Sequence, residues 1–318
     1  MAETSYTSPD VAGRVFSDGA LSIGLSLPLM KADETVANVR QQLDLAKLAD
    51  ALGFRALWVR DVPLNSVDYP DPVGHLDPWA FLGALSTQTE RIALGTGAIV
   101  LTLRHPLHIA KAAVSVSALS QGRLLLGLGS GDRPGEYAAF GKNTEERRAL
   151  FQRNWQTVAA AVGLPSQVLP DLATPGAPDF LLLPVTTSDI PLLAVGSGSQ
   201  SVNWIARHAL GWMTYHREPE GQRARYAMWR EAVARDAAGA FRAFGVTTKL
   251  DLSADPNEGA TVLPLGYRVG RRALLDLLKS MRDSGTHHVS FALSATGRDL
   301  RDVMTELGSE VLPVFHAP

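Results

Sequence analysis

The chain predicts an α/β fold: a single (β/α)8 TIM barrel over residues 1–318, with an N-terminal arm at 1–18 and an insertion at 164–190. Three observations carry this. Residues 92–101 and 123–129 are apolar, glycine-punctuated runs without polar alternation, as expected of strands buried on both faces. Residues 106–119 between them have helical period and a proline in the first turn, so the unit reads strand, helix, strand. The same beat recurs along the chain until eight strands, each followed by a helix, have been counted, and no low-complexity linker or short repeat interrupts it. A doubly wound open sheet is the alternative.

In order, residues 1–18 are polar and turn-rich and read as a loosely held arm. Residues 21–29 form the first strand, ending at Pro28, and residues 33–52 the first helix, with Asp33 as N-cap and Gly53 as C-cap. Residues 54–59 (FRALWV) form the second strand, with Arg60 and Asp61 where it leaves the sheet. Residues 63–77 are too rich in turn formers for regular structure, and a short helix follows at 78–87. After the central unit comes a loop at 130–144 and a helix at 144–162. The insertion holds five prolines and has room for a short hairpin near 180–183. Strands then follow at 191–195, 212–215, 246–252 and 287–293, with helices at 201–210, 218–241, 270–284 and 299–307.

Composition narrows the function. Apolar residues make up 46% and charged residues 19%, enough to bury a sizeable core, and the net charge of -2 leaves no basic excess for nucleic acid or an anionic membrane. With no cysteine there is no disulfide, thiolate metal site or cysteine nucleophile. The start MAETSYTSPD lacks a signal-peptide pattern, and no apolar run reaches the roughly 18 residues of a membrane span, so the expected location is cytoplasmic.

Ligands of α/β barrels sit at the carboxyl ends of the strands, and the candidates cluster there. Gly95, Gly97, Gly129 and Gly131 mark a surface approached by something flat or anionic. The turn Gly196, Ser197, Gly198, Ser199, Gln200 joins a strand end to a helix start, where free amides, the helix dipole and hydroxyls suit a phosphate; an ordinary capped turn is the bland alternative. No lysine follows these glycines and GLGSGD lacks a third glycine, so neither familiar nucleotide signature is present. Arg147 and Arg148 open the 144–162 helix, from which a guanidinium could reach a phosphate. Asp61, Asp132 and His105 are ionisable residues at three strand-exit loops, where a cap or loop brace is the bland alternative, and Asp61, His105 and Arg133 are the candidates for proton handling or substrate orientation. Tyr215, also at a strand exit, could flank a ring. No spacing supports a metal site, and no nucleophile elbow is present.

Together the pieces resemble the bacterial-luciferase-like family of flavin-dependent monooxygenases. The most specific block is ERIALGTGAIVLTLRHPLHIAKAAVSVSALSQGRLLLGLGSG, residues 90–131, followed by EYAAFG. The resemblance implies a non-prolyl cis peptide at Gly97-Ala98, forming a bulge against the flavin ring, and Ser130 beside it. It implies that Arg148, with Ser197, Gln200 and the nearby backbone amides of Gly198 and Ser199, binds the FMN phosphate. The implied chemistry uses reduced FMN, supplied by a separate reductase, and O2 on a small organic substrate. A relative using a deazaflavin coenzyme, and a flavin-binding protein without turnover, are the alternatives. Where luciferases carry a catalytic histidine pair this chain reads WVRDVP, with Asp61 or Arg60 at the matching position and Asp61 the preferred base. The apolar stretches PWAFLGALS and PLHIAKAAVSVSALS match the helices through which the family forms homodimers.

Overall fold

The computed structural model describes residues 10–31, 34, 36–65, 73–168, 180–186 and 188–316. From the N-terminus the elements are α1 (Val11–Val15), β1 (Ser22–Ser26), β2 (Met30–Lys31), α2 (Val39–Leu52), β3 (Ala56–Val59) and α3 (Pro78–Gln88). Next come β4 (Ala93–Thr96), β5 (Ile99–Val100), α4 (Pro106–Leu119), β6 (Leu124–Gly129), α5 (Pro134–Ala139) and α6 (Arg147–Val162). The second half runs β7 (Leu192–Val195), α7 (Val202–His208), β8 (Gly211–Tyr215), α8 (Pro219–Asp236), β9 (Ala243–Leu252), β10 (Thr261–Leu263) and β11 (Gly266–Val269). It ends with α9 (Arg271–Asp283), β12 (His288–Ala295), α10 (Leu300–Glu306) and α11 (Leu312–Phe315).

Strands β1, β3, β4, β6, β7, β8, β9 and β12 pair in parallel in that order, and β12 returns to β1, closing an eight-stranded barrel. Every residue of β1, β3, β4 and β6 is buried, which is why their sequences lack polar alternation. The outward side chains of these strands, such as Leu25, Leu57 and Leu126, pack against helix residues including Leu45, Leu82 and Ile109 in the main core. A second cluster fills the barrel itself, with Trp58, Leu125, Leu193 and Met213 as its larger members.

Local signals explain most boundaries. Asp77 caps α3 and His105 caps α4, each followed by a proline that presets the first turn. Gly53 ends α2 at φ 89°, a left-handed conformation that costs glycine little. The helix begins at Val39, however, with Asn38 accepting from the Gln41 amide at 3.2 Å; Val36 before it is exposed, and Asp33 lies outside the described residues.

Three further expectations need correction. The arm is not loosely held over its described part: Val11, Val15 and Phe16 are buried and plug the amino end of the barrel interior. Residues 180–183 of the insertion form no strand; within it, residues 169–179 and 187 lie outside the described set. The hairpin β10–β11 was not anticipated. It extends the sheet beyond the barrel, β11 running parallel to residues 249–252 of β9. The expected strand at 92–101 is two strands, β4 and β5, with the cis peptide Gly97-Ala98 between them, as the resemblance implied.

Candidate active site

A cavity of about 500 Å³ opens at the carboxyl ends of β1, β3, β4, β6, β7, β8, β9 and β12. Its floor is laid by Trp58. The Trp58 ring occupies the space a Cβ on Gly95 would need, 2.4 Å from the nearest ring atom, so that glycine serves the indole rather than a ligand. The indole N–H donates to His288 Nε2 at 2.9 Å, and His288 Nδ1 pairs with Ser22 Oγ at 2.6 Å. Ser22 donates onward to the Val15 carbonyl at 2.6 Å, which fixes His288 as the neutral tautomer protonated on Nδ1. Burial pushes its pKa down to about 3, consistent with a neutral ring.

Above the indole, Gly97 and Ala98 form an open surface, since a Cβ on Gly97 would meet nothing closer than 3.8 Å. Asp61 holds this surface in place. Its carboxylate accepts from the Val100 amide at 3.0 Å and from Arg104 Nε and Nη2 at 2.9 and 2.8 Å, and the hydrogen bond raises the Arg104 pKa. Arg104 Nη2 also reaches Asp77 at 3.0 Å, so one guanidinium ties the second-strand exit, the bulge and the start of α3 together. Both Asp61 oxygens are thereby engaged. The residue expected as a base is a lock, and Arg104, which the sequence reading passed over, is its partner.

The turn after β7 faces this surface. Gly196, Gly198 and Ser199 have φ of 65°, 56° and 57°, so the chain curls tightly through the left-handed region here. The Ser197 and Gly198 amides have no hydrogen-bond partner among the described residues. Ser130 Oγ lies 3.1 Å from Ser199 Oγ, bridging the β6 and β7 exits. Ser197, Gly198, Ser199 and Ser130 all line the cavity.

Three expected residues sit elsewhere. Arg148 is exposed and does not line the cavity; Arg147, its neighbour on α6, does, with Nη1 3.4 Å from the Gly131 carbonyl. Adjacent helix positions face about 100° apart, a distinction the sequence match did not resolve. Gln200 does not line the cavity: its amide nitrogen donates to the Arg148 and Gly198 carbonyls at 3.1 and 3.2 Å, and its oxygen accepts from Gln152 at 2.7 Å. It braces the turn instead of contacting a ligand. His105 is exposed on the outer rim, where Nδ1 accepts from the Leu107 amide at 3.2 Å; it is a helix cap.

Arg133 does line the cavity, buried, with Nη1 donating to the Leu64 carbonyl at 3.0 Å. One helical turn on, the sequence reading missed Glu136. This carboxylate is 6% exposed, lines the cavity and lies 3.7 Å from Arg133 as an ion pair, while its Oε1 has no hydrogen bond. Burial pushes its pKa up; Arg133 offsets only part of this. The glutamate at α5 in GEYAAFG was the available signal. Tyr215 is 52% exposed and stands on the cavity's outer edge.

A flat ring with an anionic tail fits this arrangement: an open backbone surface at one end, and open amides, two hydroxyls and Arg147 at the other. Among the described residues no group of acidic and histidine side chains could hold a metal ion, and no helix is long and apolar enough to cross a membrane.

A family model described as luciferase-like monooxygenase matches residues 22–261. The chain is 28% identical over 245 residues to an F420-dependent hydroxymycolic acid dehydrogenase from Mycobacterium tuberculosis, an alignment covering 72% of this chain and 61% of that protein. In structure it is similar to a monooxygenase from Streptomyces bottropensis, with a TM-score of 0.69, 21% identity and coverage of 93% and 100% of the two chains. It is also similar to the oxygenating constituent of 3,6-diketocamphane monooxygenase from Pseudomonas putida, a type II Baeyer-Villiger monooxygenase in complex with FMN. There the TM-score is 0.68 at 13% identity, covering 94% and 100% of the chains. At such identities the structural likeness establishes the fold.

Proposed function

This chain belongs to the luciferase-like monooxygenase family, and from that premise we propose that it is a monooxygenase using reduced FMN and O2 on a small organic substrate. The observation that carries the reading is the pairing, across one cavity, of the Gly97-Ala98 surface with the Ser197–Ser199 turn and Arg147. Reduced FMN, when bound, supplies the two electrons needed to activate O2, leaving one oxygen atom for the substrate.

The chain's own residues would divide the work. The Ser197 and Gly198 amides and the Ser199 and Ser130 hydroxyls would hold the phosphate, with Arg147 adding a charge-assisted contact. Gly97 and Ala98, held by Asp61 and Arg104, would set the height of the ring over Trp58. Val100, Val195 and Met213 give the cavity apolar walls that exclude water from the reacting centre. Glu136 would be the proton donor in this scheme: burial raises its pKa and so favours its protonated form, and Arg133 would position it. A separate reductase as flavin donor, and homodimer formation through α3 and α4, complete the proposal.

A second reading, hydride transfer from a deazaflavin without oxygen, is favoured by the F420-dependent dehydrogenase among the sequence relatives. Anaerobic titration with reduced FMN and with reduced F420 separates the two, and oxygen uptake beyond flavin autoxidation separates a monooxygenase from a flavin carrier. FMN binding weakened by Arg147→Ala supports the first reading. Binding of F420 alone replaces it with the second, and binding of neither refutes both.

A further inference from the structure

A second, larger cavity of about 990 Å³ adjoins the first, sharing Thr214 and Tyr215 with it. One wall is the start of α8 with the loop before it, His216 to Gly221 and Arg225; the other is the β10–β11 turn, Val262 to Tyr267. The second wall is unusual for a surface turn. Val262 and Leu265 are 59% and 54% exposed, and Leu265 is held at φ 64°, a conformation uncommon for a bulky residue and more frequent at functional positions. The first wall is cationic at its core. Arg225 Nη1 donates to Thr214 Oγ1 at 2.8 Å and to the Tyr215 carbonyl at 2.9 Å, which aims a half-buried guanidinium across the groove. Arg217 lines the same cavity, and burial first, then the Arg217 charge, lowers the Arg225 pKa. Glu218 and Glu220 share the lip, yet no carboxylate among the described residues comes within 4.0 Å of either arginine. His216, 5% exposed in the same wall, shares Nε2 with the Tyr267 hydroxyl at 3.0 Å and leaves Nδ1 without a partner.

Two adjacent cations without a counter-ion, facing an exposed apolar turn, describe a site for an amphiphilic anion. We propose that this groove seats the distal part of the substrate, an apolar chain or ring ending in a carboxylate or phosphate held by Arg217 and Arg225, while its reactive end passes Tyr215 into the neighbouring cavity. The proposal rests on the reading of that neighbouring cavity as the coenzyme and reaction site.

The test is calorimetric titration of the full chain with decanoate, decyl phosphate and decanol, in wild type, Arg217→Gln, Arg225→Gln and Arg225→Lys, each also titrated with reduced FMN. The expected result is that at least one anion binds, more tightly than decanol, and that Arg217→Gln and Arg225→Gln each weaken it about tenfold. Arg225→Lys should retain most of the affinity, and FMN binding should be unchanged throughout. Comparison of decanoate with decyl phosphate identifies the end group. Arg217 is exposed and its backbone amide, which donates to Gln222 at 3.3 Å, is kept by a side-chain substitution, so its variant remains informative if Arg225→Gln unfolds. The proposal is overturned if neither anion binds, if decanol binds equally well, or if neither glutamine variant weakens binding. It is also overturned if the variants weaken a titration with F420 and leave the anions unaffected. Arginine-dependent anion binding in a protein that binds no FMN would leave the groove standing and remove the monooxygenase reading alone.

Discussion

Replacing Asp61 by alanine asks whether the residue at the second-strand exit is a lock or a base. Its side chain is 1% exposed and holds the Val100 amide at 3.0 Å together with Arg104 at 2.9 and 2.8 Å. Without it the buried Val100 amide loses its acceptor, a cost of about 1–3 kcal/mol. Arg104 is 28% exposed and keeps Asp77 at 3.0 Å, so its share is that of a half-solvated pair, up to about 1 kcal/mol. The expected loss is therefore about 1–4 kcal/mol, read as a lower urea midpoint at unchanged slope, with weaker reduced-coenzyme binding because Val100 follows the ring surface. Asp61→Asn retains an acceptor for Val100 and should cost about 1 kcal/mol while turnover survives. Turnover abolished in Asp61→Asn at unchanged stability would restore the base and refute the lock; so would an alanine variant as stable as wild type.

Arg147→Ala should raise the dissociation constant for the coenzyme by about 10- to 100-fold, the effect of a charge-assisted hydrogen bond, whereas Arg148→Ala should leave it essentially unchanged. Gly198→Ala forces a Cβ to 3.0 Å from the Phe151 ring at φ 56°; a destabilisation of about 1–3 kcal/mol and loss of coenzyme affinity are expected, measured by urea unfolding and titration. Burial lowers the pKa of His216 from 6.5 to about 4 and that of His288 to about 3, so the unfolded chain binds protons that the folded chain refuses. Their contribution to stability is therefore complete above about pH 6.5 and lost as pH falls toward 4, by about 1.4 kcal/mol per pH unit for each histidine; His216→Asn should make the urea-midpoint profile shallower over that window. Glu136→Gln should be more stable than wild type above the ordinary carboxyl range, because the folded pKa is raised, with the difference vanishing in acid. The same substitution should slow turnover, and unchanged turnover would remove Glu136 from proton transfer.

Much of the candidate site was legible because it depends on local chemistry. A serine-glycine turn between a strand and a helix has few uses, and the block at 90–131 carries enough specific positions to locate the bulge at Gly97-Ala98. Side-chain direction was not legible in the same way. Arg147 and Arg148 are equivalent in composition, and only the orientation of α6 decides which enters the cavity. Asp61 looked like a free carboxylate because Arg104, 43 residues on, has no local signature linking it to the second strand. Glu136 was hidden for a related reason: burial is a property of the assembled loops, and burial is what raises the pKa of its carboxyl.

The eight-fold alternation, the capped helices and the serine-glycine turn follow from hydrophobic period, capping chemistry and backbone freedom, all of which act over a few residues. The lock on the bulge, the neutral histidine beneath Trp58, the plug formed by the arm and the groove beyond Tyr215 were decided only by closure of the barrel. Each needs partners far apart in sequence, brought together when the strand from His288 to Ala295 pairs with that from Ser22 to Ser26 and every strand end is turned toward one mouth.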